Sequence, residues 1–296
     1  MRKSLILIAF TAVALAGAGW WVTTPQQVDA AAYADLIGVP ARGAVVFHAG
    51  GCASCHSAEG SSGEAKLILS GGRAFVSDFG TFHAPNISQD SAHGIGGWSV
   101  TDLANAMIHG TSPEGQHYYP AFPYAAYRRV APQDIADLHA YLTTLPADAT
   151  PDRPHDLAFP FTLRRGLGLW KALYLTDGWQ ITGELTEVEA RGRYLAEALG
   201  HCAECHTPRG PLGGLKLDRW MAGAPNPSGQ GNIPNITPAR LDWSAADLAA
   251  YFTSGFTPDY DTAGGSMAAV VESLSQLPDT DRAALAAYVK LLPAIE

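Results

Sequence analysis

The chain has 296 residues, 47% of them hydrophobic and 16% charged, and a net charge of −9. That length is a prior for two domains with ordinary apolar cores. The acidic balance argues against nucleic acid and anionic lipid headgroups as electrostatic partners and permits a basic protein partner.

In chain order, Arg2 and Lys3 precede Leu5 to Val22, a run of 18 residues without a charge. A helix of that length spans about 27 Å, close to the hydrocarbon thickness of about 30 Å. Trp20 and Trp21 close the run where interfacial aromatics belong. The basic residues before it keep the N-terminus inside and send the rest outside. The rival reading is a cleaved signal peptide, with Ala14-Leu15-Ala16 or Ala16-Gly17-Ala18 as the small-residue site. The uncleaved anchor is preferred, and either reading exports the bulk of the chain.

Beyond the run, Ala41 to Ala49 and Glu187 to Leu199 read as helices leading into two cysteine motifs. Ser99 to His109 and Ser244 to Ser254 read as short amphipathic helices, with Ser99 and Ser244 as N-caps and Gly110 and Gly255 as stops. Pro132 to Leu145 and Pro278 to Leu292 begin with proline and acidic residues and end at proline. Gly/Pro-rich loops, Ser70 to Gly97 and Pro208 to Pro238, lie between, and no stretch alternates as a strand. Between the halves, 147–186 carries Pro151, Pro154 and Pro160, then a short helix at Leu163 to Leu175 with Arg164, Arg165 and Trp170. It reads as a linker packed across both halves, in preference to a docking surface for a partner or the bilayer.

The four cysteines decide the class. Cys52-Ala53-Ser54-Cys55-His56 and Cys202-Ala203-Glu204-Cys205-His206 are both C-x-x-C-H, the attachment pattern of heme c. Each thiol can add to a heme vinyl group, and the histidine reaches the iron as proximal ligand, because vinyls and iron belong to one rigid macrocycle. A zinc ribbon needs its two C-x-x-C pairs about 15–20 residues apart, whereas these lie in opposite halves of the chain. A thioredoxin-like site explains one C-x-x-C but not two followed by histidine, and plain disulfides require no histidine at all.

The surroundings of the motifs repeat. Asn86-Ile87-Ser88 matches Asn235-Ile236-Thr237, Trp98-Ser99 matches Trp243-Ser244, and Gly110 and Pro113 match Gly255 and Pro258. Asp134, Leu138, Tyr141, Leu145 and Pro146 match Asp281, Leu285, Tyr288, Leu292 and Pro293. A two-copy repeat of normal domain size follows. The expected fold is all-α: a membrane anchor or signal peptide (1–30), a first heme domain (31–146), a linker with a short helix (147–186) and a second heme domain (187–296). Trp98 and Trp243 are core anchors or donors to heme propionates.

A carrier heme usually takes a second axial ligand, and methionine there raises the potential. Met1 is set aside. Met221 follows the second motif in a loop, and Met107 lies on an amphipathic helix, where core packing is the plainer role. Met267, after Gly264-Gly265-Ser266, stands at the downstream position of a distal ligand and is chosen for the second heme. Its counterpart in the first copy is Phe122, which cannot bind iron. The first heme must therefore use His117 as leading candidate, or Met107, His109, His83 or His93, or keep an open position.

On Gly200-His201-Cys202-Ala203-Glu204-Cys205-His206-Thr207-Pro208-Arg209, Pro234-Asn235-Ile236-Thr237-Pro238, Gly94-Ile95-Gly96-Gly97-Trp98-Ser99 and Tyr119-Pro120-Ala121-Phe122-Pro123-Tyr124, the chain resembles the membrane-anchored cytochrome c subunits of bacterial periplasmic dehydrogenases of the alcohol and gluconate type. In that family the last motif is similar to Pro-Ala-Met-Pro-Tyr, its Met is the iron ligand, and three hemes are common; here Phe122 replaces the Met and there are two motifs. The resemblance implies two tandem cytochrome c domains with two covalent hemes c. It implies a periplasmic or membrane-bound dehydrogenase as donor, and a quinone, or another cytochrome and an oxidase, as acceptor. The rival class is an enzyme, a diheme peroxidase with an open first heme, motivated by Phe122; a third is a purely structural anchor.

Overall fold

The computed structural model describes residues 2–227, 229 and 231–296; Met1, set aside as a ligand, and the Arg2 side chain lie outside the described residues. A long helix, α1 (Arg2–Val22), leads into two copies of one helical arrangement. The first copy runs α2 (Pro40–Ala49), α3 (Cys52–His56), α4 (Val100–Ala104), α5 (Tyr124–Tyr127) and α6 (Pro132–Leu142). After α7 (Leu167–Tyr174), the second runs α8 (Glu187–Tyr194), α9 (Ala203–His206), α10 (Ala245–Ser254), α11 (Ser266–Leu274) and α12 (Asp279–Leu291). Ser99 and Ser244 cap α4 and α10 with full capping boxes, each side chain accepting from the amide of the aspartate three residues on, and Gly110 and Gly255 end the two helical runs as expected.

In each copy the helix before the heme motif crosses the last helix at a glycine: α2 packs on α6 and α8 on α12. A Cβ on Gly43 would lie 1.9 Å from the Asp137 carbonyl oxygen, and one on Gly192 would lie 1.9 Å from that of Ala284, so the backbones meet directly. A bidentate ion pair reinforces each crossing. Arg42 Nε and Nη2 donate to Asp137 at 2.6 and 2.9 Å, and Arg191 Nε and Nη2 donate to Asp281 at 2.9 and 2.7 Å. Gly43 precedes Cys52 by nine residues and Gly192 precedes Cys202 by ten. The extra residue is absorbed where α8 widens into a π turn at Leu195–Leu199, so the crossing glycine and the motif keep their relation.

One expectation is corrected. Short strands do form: β1 (Ala74–Ser77) and β2 (Gly80–His83) make an antiparallel hairpin, and β3 (Asp156–Leu157) from the linker adds to β2. A second pair, β4 (Ala224–Pro225) and β5 (Asn232–Ile233), lies in the second copy. These strands have two to four residues, too few for an alternating pattern to stand out, and β3 pairs with a partner far upstream.

The buried residues of the two copies form one continuous core, with Phe47, Ile135 and Leu138 joined to Leu195, Leu199 and Tyr288. Polar contacts also cross it: Tyr194 Oη donates to Asp134 Oδ2 at 2.5 Å and accepts from the Ala131 amide at 3.0 Å. α1 touches this body only near its C-terminal end, where it meets α7, and is otherwise exposed, with a mean hydropathy of 2.1 over Lys3–Val22.

Candidate heme-binding sites

Each motif folds as a single helical turn, α3 or α9, preceded by a residue in the left-handed region, Gly51 or His201. Positions i, i+3 and i+4 of a turn share one face, so both thiols and the histidine of each motif point the same way. All four cysteines are unpaired. Burial, with the neighbouring thiol of the same motif, pushes Cys52 and Cys202 up to about 12. A dithiol redox site needs a depressed thiol pKa, and these have the opposite shift. No group of three or more His, Cys, Asp or Glu is placed to hold a metal ion among the described residues.

The two histidines are fixed in the same way. His56 Nδ1 lies 2.9 Å from the Pro85 carbonyl oxygen and His206 Nδ1 2.9 Å from that of Pro234. A carbonyl only accepts, so each Nδ1 carries the proton and each Nε2 keeps its lone pair, which is the tautomer an iron ligand needs. Burial lowers both imidazole pKa values and keeps the rings neutral. The repeated Pro-Asn-Ile-Ser/Thr segments thereby acquire a role that the repeat alone did not reveal. Asn86 and Asn235 each close a turn, accepting from the amides of Ser88 (2.8 Å) and Thr237 (2.9 Å). Each also donates to the segment after its copy's last helix, at Asp148 O (2.8 Å) and Ile295 O (2.7 Å). From the other side, the amides of Gly71 and Gly223 bond the carbonyls of His56 and His206, both at 2.7 Å. Two thiols and one correctly tautomerised imidazole per turn are the donor set for heme c, and both sites fit it.

The copies remain in register on the distal side. Matching backbone bonds run Ser112→Gln116 and Thr257→Asp261 (2.8 Å each), Tyr118→Gly110 and Ala263→Gly255 (2.7 and 2.8 Å), and Phe122→Tyr119 and Met267→Gly264 (3.0 and 3.2 Å). Phe122 therefore occupies the place of Met267. Met267 sits half-buried in the first turn of α11, packed on the core. Phe122 packs among the rings of Tyr118, Tyr124 and Tyr127.

His117, the leading sequence candidate for the first heme, is buried elsewhere. Its Nε2 lies 3.0 Å from the Thr23 carbonyl oxygen, just past α1, and its Nδ1 3.0 Å from Lys171 Nζ on α7. Both ring nitrogens are engaged, so ligation through either would sacrifice a bond. Of the other candidates, His83 lies buried on β2 with Nε2 3.3 Å from Asp156 Oδ2, and His93 is on an exposed turn. His109 has an unpartnered Nδ1, and burial, then the cations of Arg128 and Lys171, drives its pKa down to about 4. Met221 is fully buried and accepts from the Ile236 amide just as Leu69 accepts from Ile87, so it is a core residue of the second copy. Trp98 and Trp243 are half-buried against the core.

The two motifs adjoin each other. His201, immediately before Cys202, places Nε2 3.2 Å from the Gly50 carbonyl oxygen, two residues before Cys52, and its ring meets Tyr127 edge-on at 5.7 Å. α11 of the second copy packs against α2 and α3 of the first.

Two heme c sites held side by side define a class, the diheme electron carrier of c type. The Cytochrome c family matches residues 40–146 and 189–293, and the chain belongs to that family. It is 58% identical to a "Diheme cytochrome c-type" of Cereibacter sphaeroides, over the whole of both chains. It is 36% identical to the "Fructose dehydrogenase cytochrome subunit" of Gluconobacter japonicus, over 96% of this chain and 58% of that one. It is 34% identical to the "Gluconate 2-dehydrogenase cytochrome c subunit" of Pantoea cypripedii, over 86% of this chain and 59% of that one. The chain thus spans under two thirds of the length of these two dehydrogenase subunits. It is a diheme cytochrome c of two cytochrome c domains with covalently bound hemes, and its role is electron transfer.

Proposed function

We propose that this diheme cytochrome receives electrons from a dehydrogenase at the outer face of the bacterial cytoplasmic membrane and delivers them to a membrane acceptor, a quinone or a further cytochrome and oxidase, without catalysing a reaction of its own. The observation that carries this reading is the abutment of two identically built histidine sites, joined at His201 and Gly50. Bound heme supplies a one-electron iron couple. The chain's own residues do the rest: Pro85 and Pro234 orient the proximal rings, Met267 offers a thioether to the second heme, and the shared core keeps the two motifs close. The similar proteins named above are a diheme cytochrome and cytochrome subunits of dehydrogenases, and a peroxidase finds no support among them. In this reading the domains run 31–146 and 187–296, joined by 147–186.

Membrane attachment through α1 is supported by how the chain grips that helix's outer end. Arg165 stacks 4.0 Å over Trp20 and donates to the Trp20 carbonyl and the Thr23 hydroxyl at 2.7 and 3.0 Å, and Gly168 presses on Thr23. α7, held there, is inverted for a surface helix: Lys171 points inward while Leu169 and Leu173 are exposed, as are Phe159 and Leu163 just before it. Such a face belongs at a bilayer surface. The functional test mixes purified full-length protein with a dehydrogenase of the same membrane and its substrate. Reduction of both hemes at a rate matching substrate oxidation is expected; hemes that stay ferric would refute a dehydrogenase donor.

A further inference from the structure

The two copies have exchanged a methionine and a phenylalanine. Phe122 stands where the second copy has Met267, and by the same register Met107 stands where it has Phe252. Both positions lie at one helix contact in each copy: the Asn105–His109 turn packs on α5, whose Tyr124 and Tyr127 rings flank Phe122, and α10 packs on α11. Each copy therefore has one thioether and one phenyl ring available at that contact, in swapped positions. We infer that Met107 is the distal ligand of the first heme, an assignment that rests on the two-heme reading above.

Two observations carry it. Met107 is buried, in the same continuous core cluster as Tyr127, so its side chain lies in the interior that a macrocycle would have to share. It also lies in the middle of a π turn, Asn105–His109, where α10 continues as regular α-helix through the matching residues. A π turn costs regular hydrogen bonding and redirects the side chains it contains, and such turns gather at functional positions. A methionine serving only as core filler needs no such distortion, because its three rotatable bonds already adapt to an irregular space.

The competing donors are placed otherwise. His117 spends both nitrogens on Thr23 and Lys171. His109, two residues beyond Met107, lies within the electrostatic reach of Arg128, Lys171 and Asp177. Met221 fills the core of the second copy. Both hemes would then carry His/Met ligation, which places both in the high-potential range.

The test uses the purified, full-length ferric protein, with the heme count checked by mass on the same sample, so that failure of heme attachment is separated from failure of the ligand assignment. The readouts are low-temperature electron paramagnetic resonance and the red-edge sulfur-to-iron absorption of Met-ligated heme. Wild type should show two low-spin hemes with the full sulfur band. Met267→Ala should remove half of that band, and Met107→Leu the other half, with one heme turning high-spin in each. Combining Met107→Leu with Phe122→Met should restore the band by moving the sulfur to the second copy's arrangement. If Met267→Ala alone abolishes the whole band, the first heme has no methionine ligand, whatever the folding of the Met107 variants. A full sulfur band in Met107→Leu, or a high-spin first heme in His109→Ala, equally overturns the assignment.

Discussion

At the scale of single residues, the chemistry depends on which nitrogen of a histidine is free. Pro85 and Pro234 settle this for His56 and His206 through backbone carbonyls, whereas Lys171 and Thr23 use up both nitrogens of His117. His117→Ala should therefore leave the spectra of both hemes unchanged while loosening the seat of α1, measured as faster proteolysis between Thr24 and Tyr33; a change confined to the first heme's spectrum would reinstate His117 as a ligand. The two C-x-x-C-H motifs were legible in the sequence because covalent heme attachment would demand fixed residue types at fixed local spacing. The competing partners of His117 were not, since Thr23 is 94 residues away and Lys171 is 54 residues away. Nor were Pro85 and Pro234, which act through carbonyl groups that every residue possesses; only their place in the repeated Pro-Asn-Ile segment hinted at them.

At the scale of elements, the crossing of first and last helices sets each heme domain. Gly43→Ala would drive a methyl group into the α6 backbone and should cost about 3 kcal/mol or more, since overpacking at a rigid contact cannot relax. Chemical denaturation of the variant checks this, and a loss under about 0.5 kcal/mol, the range of a bland surface change, would show that the helices can separate freely. The Asp137 carboxylate is the second lock. Burial alone would raise its pKa, but the Arg42 guanidinium, the Val39 amide and the Gln133 amide reverse this and hold it below the ordinary carboxylate range. With the folded value depressed, the group's stabilisation is full above the unfolded value of about 3.9 and is lost as pH falls through the folded value. Asp137→Asn should thus lower stability at neutral pH and shrink the wild type's loss on acidification; equal acid sensitivity in both would remove Asp137 from the acid response. The helices themselves were legible, because caps and proline starts are local signals. The π turn at Leu195–Leu199 was not, because a one-residue difference in spacing becomes visible only once Gly43 and Gly192 are known to be equivalent.

At the scale of the whole molecule, two candidate heme sites share one core, and the linker holds the end of one apolar helix. If α1 is an anchor and α7 rests on the bilayer, full-length protein in phosphatidylcholine vesicles should resist extraction by alkaline carbonate. When a protease site is placed between Thr24 and Val28, the heme domains should stay bound after cleavage and be released by Leu169→Glu with Leu173→Glu. Release of the cleaved wild type as readily as of the variant would confine attachment to α1, and a mature chain lacking residues 2–22 would make α1 a signal peptide. The linker's grip on α1 is hidden in the sequence because Arg164 and Arg165 look like a solvated face, whereas Arg164 stacks on Tyr119 and Arg165 on Trp20.

Electron transfer at every one of these scales requires iron porphyrin joined by thioethers at both pentapeptides. Peptide mass measurement on denatured, acid-acetone-washed protein tests that most directly. Heme adducts are expected on the peptides containing Cys52–His56 and Cys202–His206, with no free thiol left in either. Unmodified cysteines at both would contradict it outright, and an adduct at only one would leave a single carrier site.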